Sequence, residues 1–210
     1  MQGTVHIGPY RLRRPIATSP VSEVWAAVHT PTQRAVALKL MTADATRDPR
    51  RLKAFRAELR ATAGLSNPNV VHLYETGHVD EVAGRASKGR LRTGAPYMVL
   101  ELCSGGTLDE IKRPFRWAEL KAVLVALLDG LAHLHARGFV HRTLRPTVVL
   151  LNGVEDERQG VKLAGLGLSQ TLDGLLLQGD FGGMGEALHY MAPEQLRRRW
   201  RDLGPWTDLY

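Results

Sequence analysis

Apolar and polar positions alternate through the first forty residues. In "RAVALKL" (34–40), Val36, Leu38 and Leu40 share one face while Ala37 and Lys39 share the other, the period of a strand. "YRLRRPIA" (10–17) and "VSEVWAAVH" (21–29) are similar short runs, separated from their neighbours by Ser19-Pro20 and Thr30-Pro31. Three strands over 10–17, 21–29 and 33–41 are therefore predicted. The pattern then changes period. Leu52, Phe55, Leu59 and Ala63 recur at helical spacing behind Asp48, a fitting N-cap, and Pro49, a fitting first residue, with Gly64 as the stop. Two further strands are expected at 69–77 and 95–103, with the polar, basic, glycine-rich stretch 79–94 as a mobile hairpin loop between them.

The second half is helical first. From Trp117 to His135, Leu120, Val123, Leu124, Leu127, Leu128, Leu131 and Leu134 form the strongest helical pattern in the chain, and Gly138 follows its end. Two short apolar runs, 147–152 and 160–166, fit a small hairpin. A glycine-rich loop (173–185) leads to "YMAPEQL" (190–196). No internal repeat occurs. A strand-rich half with one helix, followed by a helical half, is an α+β plan in two lobes.

Composition bounds this picture without naming a function. With 44% hydrophobic and 23% charged residues, 210 residues can fill one large domain or two small lobes with their own cores. The single cysteine, Cys103, rules out an internal disulfide and fits a reducing cytoplasm. No run of about 18 apolar residues occurs and the N-terminus lacks the apolar core of a signal peptide, so neither a membrane span nor a secretory leader is expected. Net charge is +7, with arginine clusters at 11–14, 50–51 and in "RRRWR" (197–201). Scattered in this way, they fit a solvated basic surface; the alternative is a basic module for nucleic acid or lipid, acting through 79–94 and 197–201.

Seven short motifs in order then resemble the protein kinase family. "AVALK" (35–39) is similar to the family's third-strand motif, which puts Lys39 at the phosphate-binding lysine, and Glu58 matches the glutamate paired with it. "NPNVVHLYE" (67–75) resembles the entry to the fourth strand. "YMVLELCSGGTL" (97–108) resembles the fifth strand and hinge, with Leu100 as gatekeeper and Glu101 and Cys103 facing adenine. "HRTLRPTVVLL" (141–151), "VKLAGLGLS" (161–169) and "YMAPEQL" resemble the catalytic loop, the strand into Asp-Phe-Gly and the end of the activation segment. Each is weak alone; the order and spacing make them specific. The resemblance implies a two-lobed fold, residues 9–102 as the β-rich lobe and 103–210 as a partial helical lobe ending as the family's next helix begins. Asp208 would tie down the catalytic loop. Glu194 would lack its usual arginine partner, leaving apolar surface exposed nearby.

The resemblance also shows what is replaced. Phosphoryl transfer needs phosphates held in line, metal ions across them, and a proton acceptor. Ala17, Ser19 and Ser22 stand at the three glycines of the phosphate loop, with Val24 kept, which leaves either a plain turn or a weakened phosphate clamp. Thr143 stands at the base, and Val148 and Gly165 at the two metal ligands, so no catalytic residue is intact and no metal site is expected. Asp173, Asp180, Glu155, Asp156 and Glu157 are the carboxylates close enough in sequence to compensate. The activation segment has no Ser or Thr between Asp173 and Trp206, and Ala187 replaces the usual Thr, leaving Arg142 without a phosphate to grip. Val24, Ala37 and Leu150 match the residues that sandwich adenine, and Leu73, His141 and Leu166 those of an apolar stack, with Thr62 in its fourth place.

These substitutions imply a pseudokinase: a binding, scaffold or allosteric module for a signalling protein partner. No cofactor would be required, and ATP would be held weakly, without magnesium, by Lys39, Glu58, Val24, Ala37, Leu100, Glu101, Cys103 and Leu150. The alternatives are an active atypical Ser/Thr kinase using other carboxylates and the basic module already described.

Overall fold

The computed structural model describes residues 5–153, 156, 160–166 and 187–210. It divides into two compact units, Met1–Ala63 with His72–Leu102 and Gly64–Val71 with Cys103–Tyr210.

The first unit is an antiparallel six-stranded sheet. Its strands are β1 (His6–Ile7), β2 (Tyr10–Thr18), β3 (Ser22–His29), β4 (Ala35–Met41), β5 (Leu73–His78) and β6 (Pro96–Leu100), in the order β1-β2-β3-β4-β6-β5. The three N-terminal strands lie where alternation predicts them. β1 is too short to have a sequence period. Across β3 and β4 the register sets Val24 opposite Lys39 and Ala26 opposite Ala37. One face packs Val36, Leu38 and Leu40 against Ile7, Tyr10, Tyr97 and Val99. The other carries helix α1 (Pro49–Ala63), whose Phe55 is buried among Met41, Ala45 and Met98, with Leu52 and Leu59 beside it. Truncating such a buried Phe to Ala would cost about 3–5 kcal/mol.

α1 begins as its sequence predicts, with the Asp48 carboxylate accepting the Arg50 N–H at 2.8 Å. Its buried stripe differs at the end. Thr62 is buried and Ala63 exposed, and the Thr62 hydroxyl donates back to the Glu58 carbonyl at 2.8 Å. The expected loop 79–94 also needs correction. Asp80 caps a short helix, α2 (Glu81–Ala86), by accepting the Ala83 N–H at 2.7 Å, and Ala83 is buried in the sheet core. Six residues are too few to show a helical period, so the Asp80 cap was the only available signal.

In the second unit, α3 (Trp117–His135) has the predicted bounds. Glu119 accepts the Arg116 N–H at 3.0 Å and pairs with Arg113, fixing the first turn. The buried face is narrower than the apolar pattern: Val123, Gly130, Leu131 and Leu134 are buried, whereas Leu120, Leu124 and Leu128 are exposed. β7 (Val149–Leu151) and β8 (Val161–Leu163) form the expected small hairpin. Residues 69–72, predicted to begin a strand, do not join the sheet. Asn69 and Val71 instead bond Leu163 in the second unit, and Leu65 and Val70 pack on Leu131, Leu134 and Leu163. The short helix α4 (Pro193–Leu196) and two turns of 3-10 helix complete this unit.

Candidate functional site

Each unit builds its own set of predicted site residues. In the first, α1 presents Glu58 to β4. Both carboxylate oxygens meet the Lys39 ammonium, at 2.5 and 2.7 Å, and the two side chains are only 13% and 11% exposed. That geometry follows from the strand period, which turns Lys39 away from Leu38 and Leu40, and from the helical placement of Glu58 beside Leu59. Ala37 is buried opposite Leu100 in the neighbouring strand, and Val24 is half-buried opposite Lys39. Glu101 is buried. Its N–H donates to the His72 carbonyl at 2.8 Å, and its carboxylate accepts the His72 N–H at 3.3 Å.

The tip between β2 and β3 is closed by Ser19. Its Oγ accepts the N–H groups of Ser22 at 3.0 Å and Val21 at 3.3 Å, while its own N–H donates to the Ser22 carbonyl at 2.9 Å. Pro20 has no N–H. The backbone donors that a glycine loop would turn toward a phosphate are thus engaged within the turn or missing. The lost glycines are legible in the sequence; the hydroxyl's grip on the backbone is not.

In the second unit, Asp208 organises the loop around residue 141. It is 4% exposed, and it accepts the N–H of His141 at 2.8 Å, the N–H of Arg142 at 2.6 Å and the His135 Nε2 at 2.7 Å. Arg142 adopts a left-handed backbone, φ 61°, a strained conformation for a non-glycine residue. Asp208 holds its N–H and Gln195, from α4, donates to its carbonyl at 2.8 Å. Neither His135 nor Gln195 was legible as a partner in the sequence.

Thr143 is 7% exposed, with its hydroxyl 3.1 Å from His141 Nδ1. The His141 ring, 1% exposed, reaches the Ala164 carbonyl through Nε2 at 2.8 Å. Burial pushes the His141 pKa down, against the smaller opposing pull of that carbonyl and of Asp208. Val148 is buried in a 3-10 turn and accepts the Ala164 N–H at 2.9 Å, so both backbone groups of Ala164 are pinned just before Gly165, φ 84°. Leu150 is half-buried in β7, and Cys103 half-buried at the start of its segment.

No magnesium ligand set follows from these side chains. A threonine whose hydroxyl is engaged, a valine and a glycine supply no carboxylate or amide oxygen for an octahedral hard cation. Asp156 is occupied locally, accepting the Ser104 and Gly153 N–H groups, each at 2.7 Å. Asp173, Asp180, Glu155 and Glu157, like Ser169 and Thr171, lie outside the described residues. Glu194 is not left bare: it accepts the Thr207 hydroxyl at 2.7 Å. The expected apolar exposure nearby is present at Leu196, Trp206, Leu209 and Tyr210.

The protein kinase domain profile matches residues 10–210. The chain belongs to the protein kinase family. Over nearly its whole length it is similar to bacterial serine/threonine kinases. It is 31% identical to a probable serine/threonine-protein kinase PknB of Bifidobacterium longum, covering 97% of this chain and 29% of that protein. It is 31% identical to PknA of Mycobacterium tuberculosis, covering 99% and 46% respectively, and 34% identical to PknL of Mycobacterium bovis, covering 96% and 46%. The chain thus spans less than half the length of these relatives. Within this kinase-family frame the ion pair of Lys39 and Glu58 is assembled, and the loop held by Asp208 is assembled around a threonine. Among the described residues no helix is long and apolar enough to cross a membrane.

Proposed function

We propose that this kinase-family chain is a pseudokinase, a catalytically impaired domain that acts by binding a signalling protein in the cytoplasm. Its nucleotide site is reduced to weak ATP binding without metal, through Lys39, Glu58 and the surfaces of Val24, Ala37, Leu100, Glu101, Cys103 and Leu150. The observation that carries the reading is the threonine at the base position, with its hydroxyl engaged by a neutral, buried His141. A hydroxyl of ordinary acidity does not accept a proton near neutral pH, and losing a general base costs about 10²–10⁴ in rate. Absence of oxygen ligands at Val148 and Gly165 removes the larger charge-stabilising contribution. The turn closed by Ser19 adds to this by engaging phosphate-loop donors.

A second reading, an active atypical Ser/Thr kinase, is favoured by one observation, the close Lys39–Glu58 pair, and by the similarity to named kinases. Transfer of radiolabelled phosphate from ATP, with magnesium or manganese, separates the two. The pseudokinase reading expects no incorporation above that of a Lys39→Met variant. Incorporation that this substitution abolishes would establish the second reading instead.

A further inference from the structure

The first unit contains a cavity of about 650 Å³ formed by β2, β3, β4 and the segment after α2. Leu40 lies in its floor and, by strand alternation, Lys39 points to the opposite face of the sheet. The cavity therefore has nothing to do with the nucleotide residues. Its floor is apolar: Leu12, Leu40 and Leu91 are buried beneath it, and Trp25 forms one wall. Its mouth is basic. Arg13 rises from β2, and Lys88 and Arg90 from the turn beyond α2.

That mouth is a built feature. The Ser87 hydroxyl donates to the Gly84 carbonyl at 2.7 Å and accepts the Leu91 N–H at 3.0 Å, closing the turn. Lys88 takes a left-handed backbone there, φ 52°. Glu23 accepts both the Trp25 indole N–H at 2.8 Å and Arg90 at 2.9 Å, and the Arg90 guanidinium stands 5.0 Å from the Trp25 ring centroid. One cation is therefore neutralised and used to brace the wall. Arg13 and Lys88, on different elements, have no ion-pair partner among the described residues. An occupant complementary to this site carries an apolar group for the floor and negative charge on both sides of it.

We propose that this cavity is a docking site for an acidic peptide segment of a partner protein, with one bulky apolar side chain in the pocket and flanking carboxylates on Arg13 and Lys88. The site goes beyond the pseudokinase reading and stands whether or not the other sheet face holds nucleotide. It also gives a role to the basic stretch 79–94 that the kinase motifs leave unexplained.

The test is fluorescence anisotropy of a labelled Glu-Asp-Phe-Glu-Asp peptide added to the whole chain. Saturable binding is expected, weakened about tenfold or more by the double charge reversal Arg13→Glu with Lys88→Glu, by Ala86→Trp filling the cavity, and by replacing the peptide's Phe with Ser. Thermal melts verify that both variants remain folded, and the exposed positions of Arg13, Lys88 and Ala86 make them tolerant sites. No binding would overturn the proposal, as would binding indifferent to the Phe or to both variants, which is general charge attraction. Preferential binding of a DNA oligonucleotide or of anionic vesicles at the same site would also overturn it, as would self-association that fills the cavity.

Discussion

The Thr143 hydroxyl stands 3.1 Å from Nδ1 of His141, while Nε2 of the same ring stands 2.8 Å from the Ala164 carbonyl. A carbonyl only accepts, so Nε2 carries the proton; Nδ1 accepts the Thr143 N–H at 3.3 Å and so presents a lone pair, to which the threonine hydroxyl also donates. The network assigns a neutral His141 and leaves Thr143 acting as a donor at the position where phosphoryl transfer calls for an acceptor.

This arrangement makes stability depend on pH. Burial holds the His141 pKa below its ordinary value, so the folded chain stays neutral there while the unfolded chain takes up a proton below about pH 6.5. More protons bound in the unfolded state means that stability is lost as pH falls through that value. Against a His141→Gln variant, the wild type should lose up to about 1.4 kcal/mol more per pH unit below pH 6.5. Urea unfolding of both between pH 7.5 and 5.5 measures it. Parallel slopes would mean that the ring ionises freely in the fold.

Asp208 should be the most sensitive polar position in the second unit. Asp208→Ala removes the acceptor for two backbone N–H groups and for His135, and a buried donor left without a partner costs about 1–3 kcal/mol. A loss of about 3 kcal/mol or more is expected in urea unfolding, with Asp208→Asn, which keeps one acceptor oxygen, in between. A loss below about 1 kcal/mol would mean that the loop is held by other contacts.

The turn at Ser19 can be opened by mutation. Ser19→Gly removes the Oγ that engages Val21 and Ser22 and frees two backbone donors. At about 1 kcal/mol for one recovered hydrogen bond, ATP should bind about fivefold more tightly, measured by titration calorimetry without metal. Unchanged or weaker binding would show that the tip is not what limits the grip on phosphate.

Much of this was legible in the chain, for identifiable reasons. Strand alternation placed Lys39 on the face away from Leu40, and a nineteen-residue apolar period gave α3 its bounds. The order of motifs placed Asp208 at the loop that it does hold. Short elements were not legible: β1 has two residues and α2 six, less than the window in which a period shows. Val70 and Val71 read as the start of a sheet strand because they are β-branched, yet they belong to the second unit and pair there with Leu163. Likewise, side-chain partnerships across long separations, His135 with Asp208 and Gln195 with Arg142, have no local pattern. The Ser19 turn lay between: the substitution was visible, its hydrogen bonds were not.

If this chain is the pseudokinase proposed above, it has no means to use a divalent cation, whatever nucleotide it retains. The deciding measurement is thermal unfolding of the chain with millimolar ATP, with and without magnesium. The melting temperature should rise slightly and equally in both, and Lys39→Met should abolish the rise. A large rise that appears only with magnesium would show that a metal–nucleotide complex is held and would rule the pseudokinase reading out.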